Sequence, residues 1–428
     1  MEHSATILGM NKAFVAAFIL LISYVFIAID KVPKVTIVML GAALTLVLGI
    51  LPADKAFSYV DFGVITLLIS MMMIVHISGR SGVFNWLAIE LLKFTKGNPI
   101  HILVSLAFLT AFLSAFLDNV TTVILLIPIT FVIARELQID PIPLLITEIL
   151  ASNIGGTATL IGDPPNIIIG SAAGFTFNDF IVELTPVVIP IFVVCTAVIT
   201  FMFRKQLVYK PELAENVAKL DNTQTITDKK LMIRSLIVLF LVILGFILHS
   251  AIHLEAFVVA LLGASVLLLF EPPKKILQDI EWITIFFFIG LFIIIGGVEH
   301  TGGIHFLAQK LLDATNGNLQ LTAMSILWGS GVLSAIVDNI PYTVTMAPLI
   351  KELGTSMNIH PLWWCLSLGA CLGGNATIIG AAANVIVAEA SYVAGHPISF
   401  LRFMKYGVLV TVISLVISSV YVYFRFLV

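Results

Sequence analysis

Two apolar runs of this chain are broken in the middle by nearly the same words. In the run 142–173 the break reads GGTATLIGDPPN, from Gly155 to Asn166, and in the run 360–394 it reads GGNATIIGAAAN, from Gly373 to Asn384. Paired glycines and, in the first copy, a proline pair disfavour a continuous helix. In lipid, each backbone group released by such a stop costs several kcal/mol unless protein or a polar cavity receives it. Any fold open to this sequence must shelter both interruptions.

That lipid is the surroundings follows from composition. Of 428 residues, 59% are hydrophobic and only 11% charged, against roughly 25% charged in a soluble domain. Apolar runs near the length of a membrane span recur throughout, which predicts a polytopic membrane protein in contact with the bilayer. A net charge of −3 gives no basic signal for nucleic acid. Cys195, Cys365 and Cys371 show no metal or disulfide spacing. The first run, 13–29, lacks a small-residue cleavage site and reads as a first span.

The runs fall near 13–29, 35–51, 62–78, 99–135, 142–173 and 181–203, then near 233–249, 255–270, 282–299, 319–350, 360–394 and 403–424. The longest polar stretch lies between the sets. LSAFLDN (Leu113 to Asn119) recurs as LSAIVDN (Leu333 to Asn339), 220 positions on, and Gly155-Gly156 recurs as Gly373-Gly374, 218 positions on. Chance likeness of apolar sequence shares leucines, not Asp-Asn and Gly-Gly at offsets two positions apart. The expected organisation is a first repeat over 1–203, a cytoplasmic linker over 204–231 and a second repeat over 232–428.

The run 99–135 is too long for one span at about 1.5 Å per residue. Its middle is Asp118-Asn119, residues that favour local hydrogen bonding over helix. It reads as a re-entrant hairpin that adds an even number of crossings. With five single crossings beside it, each half crosses an odd number of times, so the second half is inserted upside down. The fold class expected is all-α, with two inverted-topology repeats, each holding a re-entrant helical hairpin and a broken transmembrane helix. With the linker placed in the cytoplasm, seventeen of the 22 Lys and Arg share its side and five lie opposite, which agrees with the inversion and puts both termini outside.

Four breaks in two matched pairs suit a binding site built from both halves. Freed helix ends offer N–H groups to anions and C=O groups to cations. Gly155, Gly156, Gly373 and Gly374 permit close approach of backbone to an ion. Asn119, Thr121, Asn153, Thr157, Thr159, Asn166, Asn339, Asn375, Thr377 and Asn384 add side-chain ligands. Asp118 and Asp338 are carboxylates deep in apolar sequence, read as a cation site or proton relay that also caps the second arm of each hairpin. Asp163 breaks the symmetry, because its counterpart is Ala381; it is a coupling candidate or a turn residue. Desolvation and bound cations pull a carboxyl group in opposite directions, and the hydroxyl-rich tip favours Asp118 over Asp338 for coupling. Glu148 and Glu389, lone acids on apolar helices, read as structural or interfacial, and His76 and Cys371 as packed. No Lys or Arg lies within any of the four breaks. No metal beyond a sodium ion and no cofactor beyond a coupling sodium or proton is expected.

LSAFLDNVTTVILLIPI followed by ASNIGGTATLIGDPPNIIIG, together with GGNATIIGAAANVIVAEA, resembles the ion transporter superfamily, in the branch of ArsB/NhaD-type permeases and the melanosomal pink-eyed-dilution protein, with a CitMHS-type citrate-transporter-like domain. The resemblance covers essentially the whole chain. The sodium–dicarboxylate symporters of the superfamily carry Ser-Asn-Thr at each hairpin tip; here the tips are Asp118-Asn119-Val120-Thr121 and Asp338-Asn339-Ile340-Pro341, which speaks against a dicarboxylate. The resemblance implies a secondary ion transporter in the plasma membrane that moves a small anion or oxyanion, of the arsenite or antimonite type, by elevator-like alternating access. It also implies a homodimer. A sodium/proton antiporter and a channel-like anion conductance are the alternatives. An intramembrane enzyme would want a Ser/His or His-Glu-x-x-His signature, and no Walker A motif occurs. Energy is expected from an ion gradient, from voltage or from an accessory ATPase.

Overall fold

The computed structural model describes residues 6–7, 10–29, 31–213, 225–248 and 254–428. The middle of the expected linker, 214–224, lies outside the described residues. Among the described residues, apart from one pairing of Thr6–Ile7 with Met10–Asn11, the regular structure is helical. The first half supplies α1 (Lys12–Ile29), α2 (Lys34–Val47), α3 (Phe62–Arg80), α4 (Val83–Phe94), α5 (Pro99–Phe116), α6 (Asn119–Leu137), α7 (Ile142–Gly156), α8 (Pro164–Ala173) and α9 (Phe177–Phe203). The second supplies α10 (Lys229–Ile247), α11 (Ala256–Leu268), α12 (Trp282–His300), α13 (Gly303–Thr315), α14 (Leu319–Ser334), α15 (Asn339–Leu353), α16 (His360–Gly373), α17 (Ala382–Val393) and α18 (Phe400–Val422). Each helix of the first half has its equivalent nine places on. Among the described residues, eight helices are long and apolar enough to cross a membrane.

The four expected breaks all occur, and local chemistry sets them. Asn98 caps α5 with Pro99 behind it, and Asn318 caps α14. Asp118 and Asp338 cap α6 and α15 through the Thr121 and Ile340 N–H groups, as short acceptors at an N-terminus do. Pro128 and Pro348 sit at matching places in these second arms. The hairpin tips end inside the protein, with Asn119 3% and Asn339 2% exposed.

α4 and α13 were not expected from the sequence. They are amphipathic rather than uniformly apolar: α13 buries Ile304 and Ala308 and exposes His305, Gln309 and Lys310. A search for apolar runs passes over such helices. They pack against α6 and α15, the second arms of the hairpins.

The halves interlock by exchange. α2 runs along α12 of the other half, where Gly290 meets Val38 and Gly297 meets Thr45. Reciprocally, α11 runs along α3, with Gly263 near Ile74. α9 and its equivalent α18 lie side by side: Phe203 packs against Tyr406 at 4.5 Å, the Cys195 Sγ lies 3.6 Å from the Ser414 Oγ, and the Tyr421 hydroxyl donates to the Glu183 carbonyl at 2.8 Å. Numbers rise along one helix as they fall along the other, so the equivalents are antiparallel. Two equivalent helices can be antiparallel neighbours only if the axis relating the halves crosses them, which is the inverted arrangement. Relative sides agree as well: Thr227, at the end of the linker, bonds to the Arg80 and Ser81 carbonyls, and Arg402 pairs with Asp140 at 3.2 Å.

Candidate functional site

The two broken helices meet tip to tip with the two hairpins, and their polar side chains form one buried network. Its middle is Asp163, the N-cap position of α8, which is 0% exposed. Asn119 donates to Asp163 Oδ1 at 3.3 Å from the first hairpin, and Asn339 donates to Oδ1 and Oδ2 at 3.2 and 3.3 Å from the second. Asn119 also donates to Asn153 Oδ1 at 3.1 Å. Asn153 in turn donates to Asn375 Oδ1 and Asn384 Oδ1, each at 2.9 Å. Four breaks thus converge on one cluster of amides around one carboxyl group, and Ala381 stands where symmetry would place a second.

Around this cluster the halves repeat the same stitching. The Asn166 amide donates to the Gly156, Thr157 and Thr159 carbonyls at 3.4, 3.1 and 2.8 Å, and the Asn384 amide to the Gly374 and Thr377 carbonyls at 2.7 and 2.8 Å. These bonds satisfy loop carbonyls that no helix receives. The Thr159 hydroxyl donates to the Ala115 carbonyl and the Thr377 hydroxyl to the Ala335 carbonyl at 2.6 Å, which ties each loop to its hairpin. The Thr157 hydroxyl donates to the Asn153 carbonyl at 2.7 Å. Ser367 and Cys371 reach Asn166 Oδ1 at 2.6 and 3.6 Å.

The ligand candidates therefore divide. Asn119, Asn153, Asp163, Asn339, Asn375 and Asn384 share the centre, whereas Thr157, Thr159, Asn166 and Thr377 hold the loops. The glycines serve packing: a methyl group on Gly155 would lie 2.1 Å from the Ala111 carbonyl oxygen, and one on Gly373 2.6 Å from that of Gly331. Gly156 and Gly374 face Gly162 and Gly380 within their own loops in the same way.

The tip aspartates part company. Asp118 accepts from the Thr121 N–H at 2.8 Å and from its hydroxyl at 2.5 Å, and keeps partial exposure. Asp338, 4% exposed, forms an ion pair with Lys34 at 2.8 Å. Sequence reasoning found no basic residue in any break, and the structure brings one in from 304 positions away. Tyr24 adds a bond to the Pro341 carbonyl at 2.6 Å, so α1 and α2 together hold the second tip. Neither residue carries a local signal, because each acts through tertiary placement.

Two adjoining clefts of 460 and 360 Å³ share Ser171 and flank α8. The larger reaches Leu160 and Ile167, beside the break; the smaller is lined by Asp61, Glu299, Lys351 and Glu352. Ser171 donates to Asp61 across this gap. Access from one end of the molecule thus approaches the loop, while the cluster beyond is closely packed.

Residues 24–369 match the family described as Citrate transporter, CitMHS. The chain is 41% identical over 424 residues to the 46 kDa membrane protein of Mycobacterium leprae (strain TN), covering 97% of this chain and 99% of that one. It is 32% identical over 495 residues to the P protein of Sus scrofa, covering 95% of this chain and 59% of that protein. Its fold is similar to the Alcanivorax borkumensis YdaH transporter, described as having an unusual topology, with a TM-score of 0.59 at 14% identity, covering 97% of this chain and 98% of that one. Apolar spans, paired breaks and these matches lead to one conclusion: the chain is a multi-pass integral membrane protein and belongs to the CitMHS citrate transporter family.

Proposed function

We propose that the chain is a secondary active transporter in which the cluster around Asp163 binds a small inorganic ion or oxyacid and exposes it to each side in turn. The observation that carries this reading is that Asn119 and Asn339, from opposite hairpins, both bond to Asp163. A ligand that competes for these bonds senses both halves at once, which alternating access needs. A centre of amides and one carboxyl group, with the Lys34 charge engaged at Asp338, suits a neutral hydroxylated oxyacid of the arsenite or antimonite type. Amides offer donors and acceptors to hydroxyl groups, while a bare trianion such as citrate would lack counter-charge unless a metal ion accompanied it.

In this reading 1–203 and 232–428 are the inverted repeats and 204–231 the cytoplasmic linker. The hairpins and broken helices move in an elevator-like way against the first helices of each half. The assembly is a homodimer in the plasma membrane with both termini outside. Asp118 with Thr121 takes the coupling cation, Asp163 binds and couples, and Asp338 fixes its tip. Energy comes from a sodium or proton gradient, with an accessory ATPase as the other source. The Asp163 carboxyl group, buried at the centre and accepting from Asn119 and Asn339, also favours a second reading, sodium/proton antiport.

The test is transport in proteoliposomes with labelled arsenite, citrate with and without magnesium, chloride, and sodium against a pH gradient. Counterflow exchange of arsenite supports the oxyacid reading. Sodium-driven proton movement without it supports antiport, and conductance of chloride without counterflow overturns a carrier of either kind.

A further inference from the structure

We infer that Glu148 is a proton-binding site of the moving unit, separate from the central cluster. The inference rests on the carrier reading above. Glu148 lies on α7 and is 0% exposed. Its Oε1 accepts a hydrogen bond from the Thr130 hydroxyl of α6, and its Oε2 is buried with no hydrogen-bond partner in the structure. An ionised carboxylate placed so, with one neutral donor, is costly enough that the group takes up a proton instead.

The inverted repeat supplies an internal control for a purely structural role. The equivalent of Glu148 is Leu366, 218 positions on, and the equivalent of Thr130 is Ile350, 220 positions on. Both are fully buried at 0%. The same helix pair thus packs with two aliphatic side chains in one half and with a carboxyl and a hydroxyl group in the other. Packing alone does not call for the polar pair.

Apart from the buried thiol of Cys365, the titratable groups on helices packed against α7 are engaged elsewhere or exposed. On α6, Arg135 pairs with Glu136. On α9, Asp179 belongs to the Thr176 cap, Glu183 pairs with Arg425, and Cys195 lies against Ser414. On α16, His360 receives the Trp364 N–H, Cys371 reaches Asn166, and Cys365 is a buried thiol. On α18, Arg402 pairs with Asp140, Lys405 lies over Tyr406, Tyr406 packs against Phe203, and the Tyr421 hydroxyl bonds to the Glu183 carbonyl. His101 of α5 and Glu389 and Tyr392 of α17 are exposed. Glu148 keeps Thr130 as its polar partner.

Glu148 stands on the limb of the broken helix that leads away from the clefts flanking α8. Its proton is therefore sealed in while those clefts are open. When the opposite end opens, Oε2–H meets water, the proton leaves as hydronium, and the carboxylate that remains must be reprotonated before the site closes again. Glu148 therefore exchanges its proton with that end alone: the O–H bond breaks and re-forms on the same side, no net proton crosses, and closure of the carrier depends on the pH there.

Two variants test this. Glu148→Gln mimics the protonated form, and the double variant E148L/T130I copies the packing of the second half, so it retains the fold. In purified protein in lipid at neutral pH, the infrared difference between wild type and Glu148→Gln shows the C=O band of an undissociated carboxylic acid; carboxylate bands in its place overturn the assignment. In proteoliposomes, both variants keep substrate-for-substrate exchange at neutral pH, and the fall of tenfold or more that alkaline pH at that end causes in the wild type is lost. An unchanged pH profile in the double variant overturns the inference while leaving the carrier reading intact. Absence of exchange in the wild type for every solute tried removes the carrier reading, and the infrared result then stands or falls alone.

Discussion

Asn339 donates to both carboxyl oxygens of Asp163, at 3.2 and 3.3 Å, from a hairpin 176 positions further along the chain. Asn119 reaches Oδ1 of the same group from the other hairpin. One side chain therefore tells each half where the other is. The sequence already marked Asp163 as the place where the repeat departs from symmetry, and the structure shows what the departure accomplishes: two tips that symmetry would send to two acceptors share one.

Asp163→Asn should weaken ligand binding by about 10–100-fold, since hydrogen bonds to charged groups contribute about 1.5–3 kcal/mol. Asp163→Ala, which copies Ala381, should abolish transport while the protein still inserts and purifies. Ligand-dependent thermal shift and counterflow exchange read both effects. Exchange at wild-type rates in Asp163→Ala would remove the centre from the mechanism.

The Lys34–Asp338 pair predicts an asymmetric stability effect. Asp338 is 4% exposed and Lys34 21%. Lys34→Met strands a buried carboxylate and should cost about 3–5 kcal/mol. Asp338→Asn leaves a lysine that can turn toward water and should cost less. The double variant K34M/D338N should recover most of the loss. Melting of the three variants in detergent decides it, and simple additivity of the two single effects would mean the pair is not coupled.

Gly155→Ala and Gly373→Ala should each destabilise the protein by about 1–3 kcal/mol or more, as overpacking does. The added carbon meets backbone rather than a flexible side chain, at 2.1 Å for Gly155 and 2.6 Å for Gly373. Gly155→Ala should be the worse of the two. Retained melting temperatures would show that α5 and α7 can move apart without cost.

The halves, the hairpins and the broken helices were legible because Asp-Asn and Gly-Gly recur in the same order, 220 and 218 positions on, within apolar runs. Helices α4 and α13 were not, because a surface amphipathic helix such as Gly303–Thr315 alternates Phe306 with Gln309 and Lys310 instead of forming a run. Within the site, the residue types at the breaks were legible, but their division of labour was not. Thr159 and Asn166 look like ligands in sequence, yet the first is bound to Ala115 and the second to three loop carbonyls. Which polar atoms remain for a ligand depends on backbone brought near by folding. Lys34 illustrates the same limit, as its partner lies 304 positions away.

Asp118 provides the remaining prediction, because its structure separates capping from coupling. Its Oδ1 caps α6 through the Thr121 N–H, and its Oδ2 holds the Thr121 hydroxyl. Asparagine caps helices about as well as aspartate, so Asp118→Asn should change stability by no more than roughly 0.5 kcal/mol. The substitution removes the charge that a sodium ion would use alongside that hydroxyl. Sodium dependence of uptake should therefore flatten in Asp118→Asn, whereas pH dependence, assigned to Glu148, should persist. Asp338→Asn should alter sodium dependence less, since its carboxylate is already matched by Lys34. Initial rates against sodium at two pH values separate these outcomes. If Asp118→Asn keeps the wild-type sodium curve, the carboxylate is only a cap, and the coupling cation must be sought at Asp163.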